Sequence, residues 1–193
     1  MEAKMPTGAS TSTGSKKSSS SKSAASKSKS TAKKPTSARS QDAIALLKAD
    51  HRAVEKLFAA FEKAKDDERK KQLADQICME LRVHAQLEEE LVYPVSREFL
   101  KEEDLVDEAV VEHQAAKDLI EQIEGMQPDE DLFDAKVSVL KEQIEHHVEE
   151  EEKEYFPQIQ KTEMDLKAIG EQIKARKKEL MAQMGGDQGR ATH

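Results

Sequence analysis

One arrangement of chemistry-bearing residues occurs twice in this chain, and it constrains the fold more than anything else in the sequence. In "RVHAQLEEELVYP", Arg82 to Pro94, a histidine stands four residues before a glutamate and ten before a proline that follows an aromatic residue. "EHHVEEEEKEYFP", Glu145 to Pro157, keeps the same offsets. A spacing of four places His84 with Glu88, and His147 with Glu151, on one face of a helix. A second pair of stretches, "KADHRAVEKLF" (Lys48 to Phe58) and "VVEHQAAKDLI" (Val110 to Ile120), sets a carboxylate directly before a histidine each time. The chain therefore reads as two copies of one helical hairpin. In each, the first helix carries His and the second carries His and Glu.

Apolar periodicity turns those residues toward a common core. Ile44, Leu47, His51, Val54, Phe58 and Phe61 form one stripe, and Leu73, Ile77, Leu81, His84, Glu88 and Leu91 a second. The third is Val106, Ala109, His113, Ala116, Ile120 and Ile123; the fourth is Phe133, Val137, Leu140, Ile144, His147, Glu151 and Tyr155. Register selects His147 over His146, which shares a row with Val139 and Gln143. Asp66 or Asp67 is placed to cap the second helix and Asp129 the fourth, while Gly125 is placed to stop the third. Pro94 should kink or end the second helix, because it has no N–H to bond back along the turn. Charged residues make up 36% of the chain and aromatics 4%, a mix that suits helices better than strands. The spacing predicts an all-α, up-down-up-down four-helix bundle over residues 42–160. An additional helix is predicted over 161–184, carrying Leu166, Ile169, Ile173 and Leu180, with a flexible C-terminus over 185–193.

Each bundle helix thus brings one histidine to its apolar seam, and two helices add a glutamate. A lone histidine on an apolar face is more often a hydrogen-bonded core residue than a ligand. Four of them on four helices, with two carboxylates that are costly to bury unpaired, make a poor core unless something neutralises them. A pair of metal ions does so: the imidazoles bind through neutral nitrogen and the carboxylates bridge. Mixed His/carboxylate ligation suits iron or manganese, with zinc a further option. The predicted metal ligands are His51, His84, Glu88, His113, His147 and Glu151, with Glu55, four residues after His51, a candidate supplementary ligand. Asp50, Glu112 and some of the remaining glutamates are placed to orient the imidazoles. Tyr93 and Tyr155 are candidates to line the site, and Cys78 lies off the metal stripe with no catalytic role.

With "DH" at 50–51, "HAQLEEE" from 84, "EH" at 112–113 and "HVEEEE" from 147, the chain resembles the hemerythrin-like, HHE cation-binding domain family over about residues 42–160. The resemblance implies a non-haem di-iron centre in a four-helix bundle that interacts with oxygen or related small ligands. Oxygen-carrying hemerythrins have a further histidine where this chain has Lys117, and an Asp five residues after the last histidine, whereas Glu151 stands at four. One imidazole fewer leaves more open coordination, which favours exchangeable ligands (water, peroxide, oxygen or nitric oxide) and counts against reversible oxygen carriage.

The charge is divided. Residues 1–40 carry about +8 and the remainder about −16. The tail, "SKKSSSSKSAASKSKSTAKKP" at its centre, has too little apolar surface to offset its ordering entropy and reads as disordered. It contains no aromatic residue, so any nucleic-acid contact through it should be non-specific and salt-sensitive. The absence of an apolar run of membrane length and of a signal-peptide core, together with a single cysteine, points to the cytoplasm. The leading expectation is a di-iron protein that binds or senses oxygen, peroxide or nitric oxide; enzyme status and oligomeric state stay open. A nucleic-acid-associated, iron-binding stress-protection protein tethered by its basic tail is the alternative. A helical interaction module that uses metal only for stability is a third.

Overall fold

The computed structural model describes residues 41–101 and 104–188, with side chains to 184; the expectations placed on residues 1–40 and on the last residues lie outside the described part. The described residues are helical throughout, with no strand. Helix α1 runs Ala43–Phe61, and Asp42 caps it by accepting a 2.9 Å hydrogen bond from the Ala45 amide. Helix α2 runs Asp67–Leu87; Asp66 is its cap, accepting from the Arg69 amide at 2.9 Å. Helices α4 (Asp104–Glu124) and α5 (Phe133–Glu150) form the second hairpin. The short connections at Glu62–Asp66 and 125–132 turn each pair antiparallel.

One expectation about a helix end is corrected, and the alternative left open at Pro94 is decided. Asp129 does not cap α5: the cap is Leu132, held in the left-handed region at φ 73° with no capping hydrogen bond from its side chain. Pro94 does not end its helix, and Pro157 has the same setting in the second hairpin. The second helix of each hairpin instead opens into one π turn, Glu88–Val92 and Glu151–Tyr155, then resumes as α3 (Tyr93–Phe99) and α6 (Phe156–Ile159). The amides of Tyr93 and Phe156 bond five residues back, to the carbonyls of Glu88 and Glu151. Each proline follows at the second position of the resumed helix, where a missing N–H costs little. Both π turns begin at the paired glutamates, in keeping with the concentration of such turns at functional sites.

The fifth helix, α7, spans Leu166–Gln188, past the boundary expected at 184. It packs on α1, α2 and the first π turn. Ile169, Ile173 and Leu180 join the core, and Gly170 lets the backbones meet, since a Cβ there would lie 2.8 Å from the Gln41 carbonyl oxygen. The buried apolar residues fall into two clusters. One, including Leu47, Leu87, Val92, Val106, Tyr155 and Phe156, contains the α7 residues; the other, including Val54, Phe58, Leu81, Ile120, Phe133 and Leu140, fills the opposite end. Along α1, α2, α4 and α5 the histidines fall between the two, so a polar layer divides the core.

Candidate metal centre

All six residues expected to be ligands are buried in that layer: His51, His84, His113, His147, Glu88 and Glu151 are each no more than 6% exposed. The histidines pair by hairpin. His51 Nε2 lies 3.2 Å from His84 Nε2, and His113 Nε2 lies 3.2 Å from His147 Nε2. Glu88 reaches both pairs, its Oε2 being 3.1 Å from His84 Nε2 and 3.4 Å from His113 Nε2. Glu151 Oε2 lies 3.2 Å from His51 Nε2 and 4.0 Å from His147 Nε2. Two groups with the spacing of metal donors result, His51–His84–Glu88–Glu151 and Glu88–His113–His147, with Glu88 common to both.

The tautomers decide what these distances mean. His51 Nδ1 donates to Glu152 at 3.0 Å, His113 Nδ1 to Glu89 at 3.0 Å and His147 Nδ1 to Glu112 at 2.8 Å. A neutral imidazole whose Nδ1 carries the proton presents a lone pair at Nε2. In the His113–His147 pair, where both rings are held this way, the lone pairs face one another across 3.2 Å unless a proton or a cation lies between them, whereas His84 Nδ1 has no such partner. The four oxygens of Glu88 and Glu151 have no partner with hydrogen-bond geometry despite full burial. Orphaned buried acceptors of this kind are rare in native proteins and demand an explanation. The donor set, imidazole nitrogens converging with carboxylate oxygens that have no hydrogen-bond partner, fits divalent or trivalent metal.

Charge perturbations agree with a cluster that holds positive charge. Burial opposes protonation of His84, yet Glu88 and Asp50 outweigh it and carry its pKa up to about 10. His113 rises to about 9, burial again being outweighed by Glu88 and Glu89. Burial also opposes ionisation of Glu88, but His84 and His113 hold it well below the usual carboxylate range. Glu151 is pushed up to about 6 by burial and by the charge of Glu88.

The supporting shell is partly as expected. Glu89, Glu152 and Glu112 orient imidazoles; Asp50 faces His84 Nδ1 from 3.9 Å. Glu90 and Glu149 instead pair with Arg176 and Lys153 away from the imidazoles. Lys117, which stands where a further histidine would be, donates to both oxygens of Glu89 at 2.6 Å. Glu55, the supplementary candidate, does not lie with the other six. It is exposed, pairs with Arg52 at 3.5 Å, and belongs to neither donor group. Its row on α1 faces outward onto a surface groove of about 370 Å³ that His51 and Glu152 also border. Tyr93 does line the site, its hydroxyl 3.4 Å from His113 Nε2, whereas the Tyr155 hydroxyl donates to Ser96 at 2.8 Å. Ser96, which caps this network from α3, carried no signal in the sequence because it lies beyond Pro94. Cys78 is buried with its thiol pushed up to about 12, chiefly by burial, which leaves it unreactive.

A bundle of antiparallel helices with a buried layer of four imidazoles and two shared carboxylates defines a metal-binding helical-bundle protein. Residues 42–159 match the family described as hemerythrin HHE cation binding domain, and the chain belongs to that family. A protein of Mycobacterium kansasii whose crystal structure is described as a hemerythrin HHE cation binding domain-containing protein superposes with a TM-score of 0.63 at 25% identity, over 74% of this chain and 89% of that one. A DNA nickase of Nostoc sp. is 29% identical over 143 residues, 73% of this chain and 40% of its own length. A hemerythrin-like protein of Schizosaccharomyces pombe is 27% identical over 114 residues, 58% of this chain and 56% of its own length. The chain thus spans about half the length of the curated relatives it matches. Among the described residues, no helix is long and apolar enough to cross a membrane.

Proposed function

We propose that the chain is a cytoplasmic, non-haem di-iron protein that binds or senses oxygen, peroxide or nitric oxide. His51 and His84 would hold one iron, His113 and His147 the other, with Glu88 and Glu151 bridging; manganese or zinc would suit the same donors less specifically. The observation that supports this reading is the set of four buried carboxylate oxygens of Glu88 and Glu151 with no hydrogen-bond partner, set among imidazole nitrogens that face one another at 3.2 Å. Bound iron would supply an open coordination position and a change of oxidation state. The chain's own residues do the rest. Glu152, Glu89 and Glu112 fix three imidazoles in the tautomer that presents Nε2 inward. The apolar clusters on either side keep water out, which strengthens every interaction within. Tyr93, buried with its pKa raised by burial and by the charges of Glu88 and Glu151, keeps its hydroxyl proton and offers a hydrogen bond to an entering ligand. With Lys117 engaged by Glu89, no fifth imidazole closes the second position, which supports exchangeable ligation.

The test is metal content with the visible spectrum of protein from iron-supplemented cells, before and after azide or peroxide. Roughly two irons per chain and near-ultraviolet bands that shift with ligand are expected, and His84→Ala or Glu151→Ala should abolish both. Zinc, or sub-stoichiometric metal with no spectral response, would overturn the redox reading.

The likeness to a protein named as a DNA nickase, together with the lysines of residues 1–40, favours a second reading: an iron-binding stress-protection protein held on nucleic acid by its tail. It requires a salt-sensitive DNA mobility shift that disappears when residues 1–40 are deleted.

A further inference from the structure

The ligand shell has a local twofold pattern, and it is broken in one place. In each hairpin the carboxylate before the first histidine faces the second histidine: Glu112, before His113, accepts from His147 Nδ1 at 2.8 Å. Asp50, before His51, occupies the equivalent position toward His84, yet its Oδ2 stands 3.9 Å away and His84 Nδ1 has no hydrogen-bond partner. Asp50 is engaged elsewhere. Its Oδ1 accepts a 2.6 Å hydrogen bond from Lys177 Nζ, on α7, which lies outside the family's matched residues 42–159. A cation beside an orienting carboxylate is not enough by itself to draw it off: Glu89 serves Lys117 and His113 together, and Glu152 serves Arg52 and His51. Those are glutamates, with one more methylene of reach. Asp50, one methylene shorter, has its Oδ1 on the ammonium and its Oδ2 left 3.9 Å from His84.

We propose that Lys177 is a positioning residue that holds Asp50 off His84, so that α7 weakens the hold of the His51–His84 pair on its metal. This rests on the metal reading above. A carboxylate on Nδ1 raises the basicity of a ligating imidazole and fixes its ring, and losing one typically costs tenfold or more in affinity. The His51–His84 position has that support on His51 alone, from Glu152, while His113–His147 has it on both rings. The fifth helix therefore acts on the metal centre without touching it, and a shift of α7 would tighten one metal position selectively.

The experiment is anaerobic equilibrium titration of the full chain with ferrous iron against a competing chelator. Lys177→Met should tighten one of two binding events by about tenfold, and Lys177→Arg, which keeps the cation, should leave both as in the parent. Adding Asp50→Asn to Lys177→Met should cancel the gain. In the otherwise unaltered chain, Glu112→Gln should weaken binding by about tenfold and Asp50→Asn by much less, since Asp50 is already diverted. Glu80→Gln, which touches only the more distant partner of Lys177 at 3.7 Å, should change neither event and controls for disturbance of α7. Unchanged or weaker affinity in Lys177→Met, with two irons still bound, would overturn this inference and leave the metal reading standing. Failure of the parent chain to bind iron at all would overturn both.

Discussion

His84 and His113 set the pH behaviour of the centre. Both hold protons at neutral pH in the metal-free cluster, with pKa values near 10 and 9. A metal must displace those protons, so affinity should fall as pH falls, on the order of tenfold per displaced proton per pH unit. Below about pH 6, protonation of Glu151 adds to the loss. Metal titrations across pH 5–9 would show the slope, and a flat profile would exclude these residues as ligands. The metal-free fold should behave oppositely. Because the folded pKa values lie above the ordinary 6.5, the stability these histidines confer is complete below about pH 6.5 and is lost as pH rises through 9–10. Thermal midpoints of chelator-treated protein should therefore drop between pH 7 and pH 10. At the same scale, Leu132 carries a left-handed φ of 73° that a leucine adopts at a cost. Leu132→Asn should raise stability by about 1 kcal/mol, read as an increase in denaturation midpoint at unchanged slope.

The π turns are the elements that distinguish this bundle from four plain helices. Periodicity places His84, Glu88 and Leu91 on one stripe, but the stripe assumes α-helical winding. Beyond Glu88 the winding widens, so Tyr93 and Ser96 turn inward where an unbroken helix would aim other residues, and Leu91 is left half-buried. The sequence marks the place, through proline at a fixed offset, without revealing whether the helix stops or rewinds. That choice depends on Tyr93, Tyr155 and Phe156 finding room in the core. α7 is the other element whose role is tertiary. Its docking rests on Gly170, where an added Cβ would meet the backbone of residues 41–43 at 2.8–3.0 Å. Backbone cannot yield as a flexible side chain can. Gly170→Val should cost about 1–3 kcal/mol despite better helix propensity, measured as a fall in thermal midpoint.

For the molecule as a whole, a polar layer across the middle of the core is a liability without its ligand. Two apolar clusters are held together by four helices that each cross a plane of unpaired acceptors. Metal binding to the folded state alone stabilises by mass action, about 2.7 kcal/mol at a hundredfold excess over Kd. Chelation should lower the thermal midpoint by several degrees, and restoring iron should recover it. An unchanged midpoint on chelation would mean that protons alone suffice to hold the layer together.

The inward convergence of six side chains could be read from the sequence because helical periodicity is a local property. Offsets of four and a shared apolar stripe put His51, His84, Glu88, His113, His147 and Glu151 inward whatever the neighbouring helices do. The same reasoning could not rank Glu55 against Glu152: both stand beside the stripe, and only the placement of the second π turn against α1 decides which carboxylate meets His51 Nδ1. The pairing of histidines within hairpins, the sharing of Glu88 and the diversion of Asp50 by Lys177 involve residues tens of positions apart. They follow from how helices cross and how far a side chain reaches, distances of a few ångströms that no periodicity encodes.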